Sequence, residues 1–148
     1  MLHVTLIACG RLKERYLRDA VEEYSKRLSG YVKLDVREVA DGPDMMSEAS
    51  RIRQCMDDDA YVITLEIEGK ELSSTEFACE IQAVMNSGRS HICFIIGGSD
   101  GIDESVSKMA DMHLSFGRMT YPHQLMRVIF LEQLYRAFRI IRGEPYHK

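Results

Sequence analysis

His91-Ile92-Cys93-Phe94-Ile95-Ile96 is the most hydrophobic run of the chain, and it breaks at once into Gly97-Gly98-Ser99-Asp100-Gly101. An apolar run of this length with no wet face predicts a strand covered on both sides, and therefore the central strand of a sheet. The glycines after it permit positive φ and let a ligand approach backbone N–H and C=O groups. Taken alone, Gly-Gly-x-x-Gly reads at least as well as a tight turn. The Lys-Ser/Thr that completes a phosphate-binding loop is missing.

Short apolar runs alternate with helical patterns on both sides of this stretch. Val4 to Ala8 predicts a first strand, and Tyr16, Leu17, Ala20, Val21, Tyr24 and Leu28 recur at helical spacing up to Ser29-Gly30. Val32, Leu34, Val36 and Val39 alternate as a strand with one wet face, and Asp41-Gly42-Pro43-Asp44 breaks the chain before a helix of modest stability within Met45 to Asp59. Tyr61 to Leu65 predicts a buried strand, and Ser73-x-x-Glu76 has the spacing of a capping box that opens a helix through Phe77, Ile81 and Val84. Downstream come a short helix from Asp103 to about Ala110, a brief strand near Met112 to Phe116, and a long helix from His123 to Arg142. The apolar residues of that last helix do not form one narrow stripe, so it is expected to be covered on more than one side, by the core and by a second subunit. The alternation predicts a single α/β domain over residues 1–148 with a mostly parallel sheet.

Bulk properties narrow the function classes. The 148 residues suit one core, and no segment approaches the roughly 20 apolar residues of a membrane span. Residues 1–8 lack the basic and long apolar regions of a signal peptide, so a cytoplasmic protein with no membrane partner is expected. Cys9, Cys55, Cys79 and Cys93 stand far apart with no C-x-x-C pair, which reads as buried or half-buried free thiols in a reducing compartment and argues against a structural metal. The net charge of -4 conceals an asymmetry: residues 118–148 hold six basic and two acidic side chains, +4, which leaves -8 on the other 117. That split suggests a local anion-facing surface, although arginines also gather near helix ends for the dipole alone.

Ligands of open α/β sheets bind beyond the carboxyl ends of strands. The first exit, Cys9-Gly10-Arg11-Leu12, lacks a dinucleotide fingerprint; the exits at Leu65 to Lys70, Gly97 to Gly101 and Ser115 to Pro122 are richer and could together enclose an adenosine-sized molecule. His3, His91 and His113 read as structural or surface residues. His123 begins a helix after Pro122, and His147 stands between Tyr146 and Lys148, where proton exchange near neutral pH is open to it.

Phe94 to Gly101, Leu114 to Arg127, Glu132-Gln133-Leu134-Tyr135-Arg136-Ala137 and Pro145-Tyr146-His147, in this order, resemble the RlmH family. These are SPOUT-class, trefoil-knotted methyltransferases acting on N3 of a pseudouridine in large-subunit ribosomal RNA. The resemblance spans nearly the whole chain, including Gly10 to Tyr16 and Thr64 to Lys70; residues 41 to 60 depart from it by being shorter. It implies S-adenosyl-L-methionine contacts at Leu65, Gly97, Phe116, Gly117, Arg118, Met119, Thr120 and Tyr121, and a knot from about Gly97 onward. It also implies a homodimer in which one subunit's tail approaches the other's cofactor. On this basis His147 or Tyr146 is expected to orient or deprotonate the base, and Arg127 and Arg136 to hold phosphate or steady the developing negative charge. His123 and Lys148 are expected to face RNA, with the assembled ribosome as substrate. A non-catalytic knotted module that binds ribosomes or nucleosides, or a methyltransferase for transfer RNA, are the alternative readings.

Overall fold

A computed structural model describes residues 1–148. Its elements run β1 (Leu2–Cys9), α1 (Arg15–Leu28), β2 (Val32–Val39), α2 (Met45–Cys55), β3 (Tyr61–Glu71), α3 (Ser74–Asn86), β4 (His91–Ile96), α4 (Glu104–Ser107), β5 (Met112–Ser115) and α5 (His123–Ile141). The strands form one sheet in the order β2-β1-β4-β3-β5, with every neighbouring pair parallel. β4, all six of whose residues are buried, is the middle strand, as its unbroken hydrophobicity predicts.

Successive strand residues point to opposite faces, and both faces are covered. Val4, Leu6, Ile63 and Phe94 pack with Leu28, Phe77, Ile81, Phe130 and Leu134 beneath α1, α3 and α5. Ile7, Val62, Cys93 and Ile95 pack with Ala49, Ile52 and Val106 beneath α2 and α4. The result is a three-layer α/β/α arrangement. Helix starts follow from side chains: Asp44 accepts from Ser47 N at 2.9 Å, and Ser73 and Glu76 close the expected capping box at 3.1 and 2.8 Å. The segment with the loosest apolar stripe thus forms a helix because it is capped and because Ala49 and Ile52 are buried.

Two elements differ from their sequence reading. α4 is four residues long rather than about eight; after Ser107 the chain continues in tight turns, with Met109 N bonded to Val106 O and Ala110 N to Ser107 O. β3 runs to Glu71 instead of ending at Leu65, because Leu65 and Lys70 both pair with Leu114 of β5 and the residues between them bulge out. Gly69 makes this possible: a Cβ there would lie 2.8 Å from the His113 carbonyl carbon.

Candidate active site

The carboxyl ends of β3, β4 and β5 open onto one cavity of about 910 Å³. Leu65, Ile96, Leu114, Phe116 and Met126 supply apolar wall, the β3 bulge contributes Glu66, Ile67 and Glu68, and the turn from Gly97 to Gly101 lines another part. Gly101, at φ +90, donates its N–H to Gly98 O at 3.0 Å and folds the turn back on itself. The closeness of that fold explains Gly97, whose Cβ would stand 2.4 Å from Gly101 O. Past β5, Ser115 Oγ donates to Ile67 O at 2.8 Å and accepts from Gly117 N at 3.1 Å, tying this exit to the bulge. Gly117 has φ +107 and starts the loop whose Met119, Thr120 and Tyr121 reach the cavity.

Of the residues expected to bind cofactor, Leu65, Gly97, Phe116, Gly117, Met119, Thr120 and Tyr121 line this cavity and Arg118 does not; its side chain is exposed beside them. His123 lines it as well. Its Nε2 is buried without a hydrogen-bond partner, 3.3 Å from where a Gly10 Cβ would lie, and the Asp41 carboxylate stands 3.1 Å from that same point.

Glu66 is a cavity residue that the sequence reading passed over. Its carboxylate accepts from Thr64 Oγ1 at 2.6 Å and from Ser107 Oγ at 2.9 Å, and His113 Nδ1 lies 2.7 Å away. Burial is the largest single influence and pushes its pKa up, yet the hydrogen bonds from Thr64, Ser107 and His113 together outweigh it and leave the net value lowered. Glu66 is therefore a fixed negative charge on the cavity wall. A pKa depressed below the unfolded value of 4.5 contributes stability that is present above pH 4.5 and lost as pH falls through the folded value. Glu66→Gln is expected to flatten the acid limb of a melting-temperature profile between roughly pH 5 and pH 3. A profile that still tracks wild type across that window would contradict the network. A carboxylate next to a strand exit was the available sequence signal; the three partners, 2, 41 and 47 residues away, were not.

Arg127 lies beneath the β1 exit with 1% of its surface exposed. It donates to Glu38 Oε2 at 2.8 Å and to Cys9 O at 2.7 Å, and also to Gly10 O. The guanidinium is spent on the fold and does not face an external phosphate, in contrast to its sequence expectation. Cys9 and Cys93 are free, buried thiols, and burial raises their pKa values to about 11 and about 12; Cys55 is half-buried, whereas Cys79, expected to be at least half-buried, lies exposed on α3.

A second cluster forms around the end of α5. Tyr146 packs edge-on against Tyr135 with centroids 4.9 Å apart, donates its hydroxyl to Glu132 Oε1, and lies under the Arg136 guanidinium at 4.7 Å. The hydrogen bond to Glu132, with burial, raises the Tyr146 pKa to about 12. The phenol stays protonated at neutral pH. Arg136 also pairs with Glu132 at 3.2 Å and meets His147 Nδ1 at 3.1 Å, and Lys148 follows, exposed. A guanidinium only donates, so Nδ1 accepts, and a neutral His147 ring carries its proton on Nε2. From His123 to Arg136 the helix rises about 20 Å, so the tail cluster and the cavity of the chain stand toward opposite ends of α5.

The model of the family described as "Predicted SPOUT methyltransferase" matches residues 2–147. The chain belongs to that family. This SPOUT methyltransferase is 52% identical to the ribosomal RNA large subunit methyltransferase H of Bifidobacterium adolescentis, over 99% of this chain and all of the relative. It is 46% identical to the protein of the same name from Bacillus pumilus, with the same coverage. Among solved structures it resembles the tRNA (m1G37) methyltransferase of Aquifex aeolicus, with a TM-score of 0.56 and 17% identity over 99% of this chain and 74% of that one, a likeness of fold alone. Both alignments with the ribosomal RNA methyltransferases run over 159 residues against 148 in this SPOUT methyltransferase.

The cavity suits S-adenosyl-L-methionine. Its volume falls in the roughly 300–1,000 Å³ range of small-molecule sites, its apolar walls and glycine-rich backbone suit an adenine ring, and the Glu66 carboxylate can meet hydroxyl or ammonium donors.

Proposed function

We propose that this SPOUT methyltransferase methylates N3 of a pseudouridine in large-subunit ribosomal RNA, using S-adenosyl-L-methionine and acting on the assembled ribosome. Identity of 52% over the full length of a relative named a ribosomal RNA large subunit methyltransferase carries the reading. The cofactor, when bound, supplies a sulfonium methyl group. Leu65, Gly97, Phe116, Gly117, Met119, Thr120 and Tyr121 hold it through the three strand exits, with Arg118 beside them in water. The trefoil knot belongs to this proposal, supported by the family and by the gathering of these segments, distant in sequence, around one cavity.

Methylation of an imide nitrogen forms N3–CH3 as the sulfonium S–CH3 bond breaks and a neutral thioether leaves, while the N3 proton passes to solvent water, so negative charge develops on the base until the methyl arrives. The chain's part is to align N3 and to steady that charge. His147, with a proton on Nε2, orients a base carbonyl rather than removing the N3 proton. Tyr146 and Glu132 hold Arg136 and His147 in place, while Lys148 and His123 meet RNA. Since His147 lies a helix length from its own cavity, the site is completed by the tail of a second subunit in a homodimer. The half-buried Leu125, Val128, Ile129 and Ile141 of α5 supply apolar surface for that contact.

Mass spectrometry of ribosomal RNA from a strain lacking this gene tests the reading. The expected result is loss of one methylated pseudouridine from large-subunit RNA, restored by the wild-type gene and restored poorly by His147→Ala. An intact modification in the deletion strain, or a lost methyl group in transfer RNA instead, would overturn it.

A further inference from the structure

The β1–α1 segment carries charge that neither the cavity nor the tail cluster uses. Residues 11–18, Arg-Leu-Lys-Glu-Arg-Tyr-Leu-Arg, hold four cations and one acid in a chain of net charge -4. Arg11, Lys13 and Arg15 are exposed. Arg11 and Lys13 join none of the ion pairs of the protein. Arg15 reaches only Asp19, at 3.8 Å with both side chains mostly in water, an arrangement of little energetic weight. These cations surround the amino end of α1, where the helix dipole disfavours positive charge and only the N-cap Glu14 opposes them, the first turn containing no acid. A placement unfavourable in the isolated protein points to an anion outside it. Tyr16, 68% exposed, stands among them.

The segment is held firm from within. Arg127 bonds the Cys9 and Gly10 carbonyls, Glu38 accepts from Leu12 N at 3.2 Å, and Arg18 donates to the carbonyls of Leu12 at 3.2 Å and Lys13 at 2.8 Å. It is also tied to the cavity: Lys13 N donates to Gln124 Oε1 at 3.5 Å, and Gly10 lies against His123, which lines the cavity. Unpaired cations on a fixed loop, beside an exposed aromatic ring and next to the cavity, match a single strand of nucleic acid, whose phosphates need charge and whose bases need a stacking face. An acidic peptide would match the charge but leave the ring without use.

We infer that Arg11, Lys13 and Tyr16 form a docking surface for the RNA strand flanking the target base, the two cations on its phosphates and the ring against a neighbouring base. This rests on the ribosomal RNA substrate proposed above. The acidic remainder of the protein repels RNA, so a few uncompensated cations at the cavity set the direction of approach.

The test uses full-length Arg11→Glu/Lys13→Glu protein, with ribosomes from a strain lacking the gene and methyl incorporation as the readout. KM for ribosomes is expected to rise roughly tenfold at low salt, and the slope of log affinity against log salt to become shallower by about 1.4, the value for two phosphates on a single strand. Cofactor affinity by calorimetry and melting temperature should match wild type. Tyr16→Ala should raise KM about fivefold with no change in salt slope. Wild-type KM in the double variant, or a rise that is the same at every salt concentration, would overturn the inference. So would a changed oligomeric state by sedimentation, which would make the patch a subunit contact. Failure of the underlying reading looks different: wild-type protein would then leave the same ribosomes unmethylated, and the docking surface would fall with it.

Discussion

Arg127→Met is expected to lower folding stability by about 3 kcal/mol, read as a fall in the urea midpoint with an unchanged slope. Met fills most of the volume, so the loss is chiefly polar. Without the guanidinium, the Cys9 and Gly10 carbonyls and Glu38 Oε2 each lose a donor at a site where the side chain is 1% exposed. An orphaned buried acceptor costs about 1–3 kcal/mol. Glu38 is 41% exposed as a side chain and recovers part of its loss by turning to water, which holds the total near the lower bound. Arg127→Lys should recover less than half, because one ammonium does not reproduce a planar fork that reaches two carbonyls and a carboxylate together. A loss under about 1 kcal/mol would mean that the β1 exit is held by other contacts.

Gly97→Ala is expected to remove cofactor binding, by at least about 100-fold, equivalent to about 3 kcal/mol. The added methyl would stand 2.4 Å from Gly101 O and 2.7 Å from its carbonyl carbon, both backbone atoms that no rotamer change can move aside. β4 lies in the middle of the sheet and does not retreat, so the Gly97–Gly101 turn must open, at about 1–3 kcal/mol in stability and with the cavity wall displaced. Gly101→Ala serves as the contrast. Its Cβ meets nothing within 4 Å, and the penalty is the backbone conformation alone, about 1–2 kcal/mol. Calorimetry with S-adenosyl-L-methionine decides: wild-type affinity in Gly97→Ala would place the cofactor elsewhere.

Most of the architecture was legible in the pattern of residues. An unbroken apolar run placed β4 at the centre, alternation marked β2 as a strand, and Ser73 with Glu76 set the start of α3. The two misjudged elements depended on contacts between strands. β3 extends past its bulge because β5 pairs with both sides of it, and nothing within residues 61–71 announces where β5 will lie. α4 stops at Ser107 in tight turns that sequence periodicity over so short a segment does not distinguish from a longer helix.

The site divides along the same line. By itself, the sequence determined the α/β class, the three glycine-bearing exits and the family resemblance, because local periodicity, turn chemistry and motif order are properties of neighbouring residues. Tertiary structure alone decided which side chains are free to act. Arg127 and Arg136 are both arginines on one helix, yet one is consumed by Glu38 and two carbonyls while the other meets Tyr146 and His147. Tyr146 is a phenol held protonated by Glu132, and Glu66 is a carboxylate held charged by partners from three elements or turns. Such roles depend on burial and on through-space partners, which the fold brings together from positions up to 118 residues apart.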